Sequence, residues 1–395
     1  MDGGKSAAFD PLAVAPVDVL RRGLAEQRAS GCPVSHVAPG LGFVSRHEFA
    51  RKALLDSDAL SNEGNFVLEG DGDGPPPPSL ITQSDPPEHT ALRDLLRPGF
   101  ARTPIAEATP WITERVHELV GALPDGGPAD VVGDIALPLT ATVIARLVGV
   151  PNEDADELAR LSLAITAMLP ASFVGSDEWR RLESYFTAAA VQRRAAAEQP
   201  DDLLTRLAAG RIDGRPLSDR EVAFHAWQLF VAGLESTAYT IGSTVYQLLS
   251  VPDRWKALLA DRSMLPDVRE EGLRHGSAIR WVFRTVRRTA DLGGEPLQAG
   301  DRMIIGLESA NFDTAVFGPD ADEFDPRRRT ARRHMSFGHG IHLCLGAELA
   351  RLEISATLEV LLDRLPGLRL LTPDAPYQEV QSPMFCGPQR LDVTW

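Results

Sequence analysis

Residues 335–351 read Met-Ser-Phe-Gly-His-Gly-Ile-His-Leu-Cys-Leu-Gly-Ala-Glu-Leu-Ala-Arg, and their chemistry centres on Cys344. A glycine-bearing loop precedes this cysteine. Leu345, Leu349, Leu352, Ile354, Leu358, Leu361 and Leu362 follow it at helical spacing. A sulfur at a helix N-terminus meets unpaired amides and the positive end of the helix dipole, which favour the thiolate. A thiolate is a soft ligand well suited to iron. Gly338 and Gly340 let the backbone turn tightly and lie against a large flat group. A buried structural thiol at a loop–helix junction fits the same residues.

Other groups carry chemistry of their own. His89 and Arg93 are four apart, so they stack on one helix face. Together they can clamp a carboxylate through charge-assisted hydrogen bonds, or simply form a solvated face. Residues 232–237, Ala-Gly-Leu-Glu-Ser-Thr, set a glycine, an acid and two hydroxyls between apolar turns. Gly233 costs roughly 1 kcal/mol against alanine inside a helix, so something must offset it. Ser236 and Thr237 can bond the carbonyl one turn back and bend the helix. A packing glycine and a surface-facing Glu235 are the structural alternative. Glu271 and Arg274 form a Glu-x-x-Arg pair that helices also contain by chance.

The ungapped string Phe-Gly-x-Gly-x-His-x-Cys-x-Gly-Ala, from Phe337 to Ala347, resembles the haem-binding loop of the cytochrome P-450 family. That family is a standard example of thiolate-ligated haem. The resemblance implies haem b, iron protoporphyrin IX, ligated by Cys344, with Phe337, Gly338 and Gly346 shaping the loop and His342 reaching a propionate. Asp85-Pro86-Pro87-Glu88-His89-Thr90 with Leu92-Arg93 resembles the family's propionate-binding helix, and Arg284 matches a second propionate arginine. Residues 232–237 resemble the element that binds oxygen over the haem. Ala232 and Gly233 would face the porphyrin, while Glu235, Ser236 and Thr237 would deliver protons. Ser236 stands where the family usually has threonine, so the hydroxyl is kept without its stiffening methyl. Glu271, Arg274 and Arg328 match a buried charge triad. Ile279, Arg280 and Val282 match a strand edging the substrate pocket, and Met384 and Phe385 a hairpin tip that enters it. Arg280 is expected to meet a substrate carboxylate or oxygen, or to face solvent.

The implied reaction inserts one oxygen atom from O2 into an apolar organic substrate. Electrons would come from NAD(P)H through a ferredoxin-type donor and its reductase, since no flavin or iron–sulfur module is recognisable in this chain. Arg327, Arg329, Arg332 and Arg333 form a basic run just before the cysteine loop that would dock this donor, or else a solvated loop. Two rivals are a peroxide-driven haem enzyme of the same fold and a haem sensor that never turns over. Retention of Glu235 and Ser236 counts against the first.

The elements that must position these groups are mainly helical, with small sheets. Helices are predicted over 17–28 and 47–55, with a short strand at 42–45 between them. Gly64, Gly70, Gly72, Gly74 and the four prolines 75–78 mark an extended loop, which the resemblance places over the substrate. Leu158, Leu161, Ile165 and Met168 form one helical stripe, and Trp179, Leu182, Phe186 and Ala189 the next. By the resemblance, residues 154–195 form a lid. Turn breaks fall at 124–127, Pro151, Pro170 and Gly175. Ser218 and Glu221 sign a capping box, and no proline follows until Pro252. This helix would run some thirty residues, about 45 Å.

The chain has 395 residues, 44% of them hydrophobic, without a linker dividing it, so one globular domain over residues 1–395 is expected. A net charge of −15 argues against nucleic acid or an anionic membrane as partner. No signal-like run opens the chain, and no stretch is expected to span a membrane. Three scattered cysteines, Cys32, Cys344 and Cys386, do not make a disulfide framework. A cytoplasmic monomer is expected.

Overall fold

The computed structural model describes residues 9–65, 78–169, 173–373 and 377–395. The helices run in chain order as α1 (Val17–Ala29), α2 (His47–Leu55), α3 (Glu88–Leu96), α4 (Arg102–Gly121), α5 (Leu137–Val148), α6 (Asn152–Thr166) and α7 (Asp177–Ala195). They continue as α8 (Leu203–Ala209), α9 (Asp219–Leu249), α10 (Pro252–Ala260), α11 (Leu265–His275), α12 (Leu307–Asn311), α13 (Thr314–Phe317) and α14 (Ala347–Arg364). The strands are β1 (Ser35–Ala38), β2 (Leu41–Val44), β3 (Leu60–Ser61), β4 (Ala129–Asp130), β5 (Arg211–Ile212), β6 (Arg215–Pro216) and β7 (Trp281–Val286). After them come β8 (Ala290–Leu292), β9 (Glu295–Leu297), β10 (Arg302–Gly306), β11 (Arg369–Leu370), β12 (Gln378–Glu379), β13 (Pro388–Arg390) and β14 (Asp392–Thr394).

The long helix α9 is the axis of the molecule. Its 31 residues start at a complete capping box: Ser218 Oγ accepts from the Glu221 amide, and the Glu221 side chain accepts from the Ser218 amide. Two orphan donors are satisfied there, while Asp219 and Glu221 complement the dipole. Apolar residues cover α9 on nearly every side, from Phe224 and Phe230 to Ile241 and Leu248, so it is buried for most of its length. Two apolar clusters meet on it. One joins α4, α9 and α14 through residues such as Ile112, Val116, Ile241, Ile354 and Leu358. The other gathers α5, α6 and α7 through Ile144, Leu158, Ile165, Trp179 and Phe186. Each fully buried aliphatic or aromatic side chain contributes about 1.5–3 kcal/mol.

The main sheet has strand order β1-β2-β10-β7-β3. β7 is antiparallel to β10, with Arg284 opposite Met303 and Val282 opposite Ile305. Alternation along β7 sends Trp281 and Phe283 into one apolar cluster and leaves Val282 and Arg284 on the other face. β8 and β9 pair across Gly293 and Gly294, both at positive φ.

Most predicted elements stand close to their expected bounds, as the strand at Leu41–Val44 and the helix at His47–Leu55 show. Most of the glycine- and proline-rich loop, and the break at Pro170, lie outside the described residues. One stretch does approach the length of a membrane span. The run Val131–Val148 is long and apolar enough by composition to cross a membrane, but 61% of it is buried inside the protein. It begins as a π-turn capped by Asp130 and continues into α5, packed on α9.

Candidate active site

The cysteine loop is shaped by its neighbours. Asn311 of α12 accepts from the Met335 amide at 2.6 Å and donates to Ser336 Oγ at 2.9 Å. Ser336 Oγ in turn donates to the Leu273 carbonyl of α11 at 2.6 Å. Gly340, at φ +74°, passes so close to the end of α2 that a Cβ would lie 2.4 Å from the Leu54 carbonyl oxygen. Only glycine fits both the conformation and the approach. The Cys344 amide closes the loop on the Phe337 carbonyl at 2.9 Å, and the Arg351 guanidinium lies 4.7 Å over the Phe337 ring.

Cys344 opens onto a cavity of about 350 Å3. Helix α14 begins at Ala347, three residues later. Protein around the thiol pushes its pKa up, against the Gly346 amide, Arg93 and Arg351, which pull it down. Desolvation is the largest of these effects, so the pKa of the free thiol is raised overall. A bound metal ion would deprotonate the sulfur outright.

Beside Cys344 the structure gathers four cationic or imidazole groups. The His89 and His342 rings lie 4.0 Å apart, and Arg93 donates to the Leu343 carbonyl at 2.8 Å. Arg284 is buried, and the one hydrogen bond of its guanidinium among the described residues goes to the Phe283 carbonyl. Nε2 of both histidines is buried without a partner among the described residues. Burial first, then His89, Arg284 and Arg93, lower His342 to about 3. Burial and Arg93 lower His89, and burial holds Arg284 at about 10. Two arginines beside two buried, unpartnered imidazole nitrogens, with no carboxylate hydrogen-bonded to them among the described residues, suit an anionic occupant. The two propionates of a haem, with Cys344 for its iron, match this donor set.

Across the cavity lies the middle of α9. Ala232, Gly233, Ser236, Thr237 and Thr240 line it. Ser236 Oγ donates to the Ala232 carbonyl at 3.0 Å and Thr240 Oγ1 to the Ser236 carbonyl at 2.7 Å. Gly233 is a close-approach residue: a Cβ there would meet Ile144 Cδ1 of α5 at 2.9 Å. Glu235 does not line the cavity. It is buried beside Tyr239, whose hydroxyl donates to Oε1 at 3.0 Å, and its Oε2 has no partner among the described residues. Burial raises its pKa to about 7 against the Thr166 and Tyr239 hydroxyls.

Ile279, Val282 and Phe385 line the cavity as expected, Ile279 bridging Phe385 backbone to backbone. Arg280 and Met384 do not. The Arg280 guanidinium turns away from the cavity into a buried cluster, 2.6 Å from both Glu308 and Glu379, and its Nε donates to the Phe385 carbonyl at 3.1 Å. It therefore neither meets substrate nor faces solvent. Two carboxylates distant in sequence claim it. Met384 is fully buried in the apolar cluster around Trp281. Glu271 and Arg274 are completely buried and bidentate at 2.7 and 2.8 Å, and Arg328 reaches the same carboxylate at 3.3 Å. Sequence reasoning missed Asn62, Asn65, Thr82, Gln83 and Gln228, polar residues that line the cavity far from any recognisable motif. It also missed Glu353, buried on α14 with one carboxylate oxygen unpartnered among the described residues, which burial pushes well up.

Comparison with known proteins agrees with this geometry. Residues 256–366 match the family model described as cytochrome P-450. The chain is 36% identical over 367 residues to nocardicin C N-oxygenase of Nocardia uniformis, covering 89% of each chain. It is 33% identical over 369 residues to a steroid C26-monooxygenase of Mycolicibacterium smegmatis, covering 92% of this chain and 90% of the relative. A solved structure of a mutant of P-450 EryK in complex with erythromycin B superposes with a TM-score of 0.85 at 30% identity, covering 95% of this chain and 96% of that one. With sequence relatives matching nearly end to end and a shared fold, the chain belongs to the cytochrome P-450 family and is a monooxygenase.

Proposed function

We propose that this protein uses haem b to insert one oxygen atom from O2 into a small to medium-sized, largely apolar organic substrate. Electrons come from NAD(P)H through a ferredoxin-type donor. The observation that carries the reading is the set of unsatisfied donors at His89 and His342, with Arg93 and Arg284, in the same cavity as Cys344. When bound, haem supplies the oxygen-activating and oxygen-transferring chemistry, made more potent by electron donation from the thiolate.

The chain's residues do the rest. Cys344 holds the iron, within a loop shaped by Phe337, Gly338 and Gly346. His89, Arg93, Arg284 and His342 bind the propionates. Ala232 and Gly233, small residues lining the cavity, would leave room for the porphyrin. Ser236 and Thr237 present their hydroxyls to the cavity, and Glu235, poised near neutrality beside Tyr239, is the buried acid of the same helix stretch. Ile279, Val282 and Phe385 exclude water and orient the substrate, and Glu271, Arg274 and Arg328 fix α11 behind the cysteine loop. Arg327, Arg329, Arg332 and Arg333 face an acidic donor. The protein acts as a single-domain, cytoplasmic monomer. The named relatives oxidise a steroid and nocardicin C.

The test is optical. The reduced protein with carbon monoxide should give the red-shifted band of a thiolate-ligated haem, and Cys344→His should move it to the position of an imidazole-ligated one. A wild-type protein that takes up no haem defeats the proposal.

A further inference from the structure

The cavity has a second polar end. Gln228 of α9 is only 6% exposed and lines the cavity. Its Nε2 donates to Thr82 Oγ1, while its Oε1 has no partner among the described residues. The Thr82 segment is itself pinned. Asn62 and Asn65 donate side-chain amides to the Thr82 carbonyl at 3.0 and 3.1 Å. Asn65 Oδ1 accepts from the Phe283 amide of β7 at 2.9 Å. These amides spend their hydrogen bonds on the protein; Gln228 Oε1 does not. The neighbouring Trp227 Nε1 is likewise buried without a partner among the described residues, its ring fixed 4.7 Å from Phe173 and 5.4 Å from Trp179.

Leaving a buried acceptor unpaired is costly, so the occupant of the cavity should satisfy it. The remaining walls here, Leu80, Ile81, Leu169, Phe173 and Leu229, are apolar. The ionisable lining residues belong to the cysteine loop, to α14, or to the donors around His342. An ammonium or carboxylate at Gln228 would find no counter-charge. A hydroxyl suits the site: it donates to Oε1 and can accept from an indole N–H. It also meets the reversed amide orientation, accepting from Nε2. Gln228 and Ser236 are eight residues apart on one helix, about 12 Å of helix rise.

We propose that Gln228, seated on Thr82, is the polar anchor of the substrate cavity. Its ligand is an uncharged, otherwise apolar molecule bearing a hydroxyl about 12 Å from the carbon presented at Ser236. This rests on the monooxygenase reading and names the substrate class of that site.

The experiment uses haem-loaded protein and a panel of rigid steroid and terpenoid alcohols, each paired with its deoxy counterpart, chosen to vary the distance between the hydroxyl and the far end. Binding is read from the Soret shift. For alcohols of matching reach, the hydroxyl should tighten binding roughly tenfold. In Gln228→Leu the preference should fall to about twofold or less, with the deoxy partners binding as before. Thr82→Val, which leaves the helix untouched, should reduce the preference as well. It supplies the answer if Gln228→Leu does not fold. No alcohol preference across the panel, or the same preference in the variants, overturns the anchor. The carbon monoxide band separates the two failures: its presence without an alcohol preference defeats only the anchor, and its absence defeats the functional reading too.

Discussion

Glu235 shows how burial sets the chemistry of a single side chain. Its pKa is raised from 4.5 to about 7 by desolvation, so the acid is close to half protonated at neutral pH. A raised carboxyl pKa has a definite sign in stability. The contribution of the neutral acid is fully present below about 4.5 and is lost as pH rises through about 7. Glu235→Gln should therefore gain stability relative to wild type between pH 5 and pH 9, by on the order of 3 kcal/mol, as read from urea midpoints at several pH values. In turnover the same variant should lose the ionisation near neutrality from its pH–rate profile. Ser236 makes a second case. Its hydroxyl bonds the Ala232 carbonyl but lacks the methyl that would restrict χ1. Ser236→Thr should raise the share of reducing equivalents recovered in product, measured as product formed per NAD(P)H consumed; an unchanged or lower share counts against this role. At this scale legibility followed locality. Cys344, His89, Arg93 and Ser236 sit in contiguous strings whose residue types state their chemistry. Arg280 was misread because its partners, Glu308 and Glu379, lie 28 and 99 positions away and no local pattern announces them. Gln228 was missed for a similar reason, since its partner Thr82 is 146 positions distant.

Between elements, close approach and buried charge do the positioning. Gly233 lets α9 pass against Ile144 of α5, where an added methyl would press on Cδ1 at 2.9 Å. Gly233→Ala should gain roughly 1 kcal/mol of helix propensity and lose more to overpacking. Adding Ile144→Val should restore part of that loss, so the double-mutant cycle should be clearly non-additive in urea midpoints. Additivity would show that this contact does not set the helix spacing. Behind the cysteine loop, Arg274 satisfies Glu271 and also donates to the Asn311, Ala321 and Glu323 carbonyls. Arg274→Ala would leave the fully buried Glu271 carboxylate with only Arg328 at 3.3 Å and the Asp325 amide, and would remove a donor from three carbonyls, costing up to about 3–5 kcal/mol. The loss should appear in the denaturation midpoint even without haem, because the triad does not touch the cavity. The sequence made the helices and the capping box of α9 easy to place. The hairpin tip was harder: which of Met384 and Phe385 enters the cavity is a matter of alternation, and that register is set by the bridge to Ile279.

For the whole molecule, the net charge of −15 makes a basic run conspicuous. Arg332 lies 3.7 Å from Asp267 with both side chains exposed, a pair that contributes little to stability and leaves the arginine open to a partner. Reduction by an acidic ferredoxin should slow as ionic strength rises, since screening shortens the reach of steering. Arg329→Glu should slow it further at low salt and change little at high salt, by stopped-flow. A rate indifferent to both places the donor elsewhere. The family and fold were readable because the haem-loop string and three supporting motifs spread across the chain. The polar end of the cavity was not, because it forms only when Thr82, held by Asn62 and Asn65, meets Gln228 of α9.

A capped, nearly unbroken rod that carries both the glutamine and the serine has a practical corollary. Its side chains recur in steps, so any rearrangement of the anchor along it is quantised by the turn, about 5 Å at a time. Shifting the amide to position 231 or 232 would shorten the gauge by roughly one notch rather than by an arbitrary amount. Selectivity in this scaffold should then change by whole increments of substrate length, as on a graduated scale.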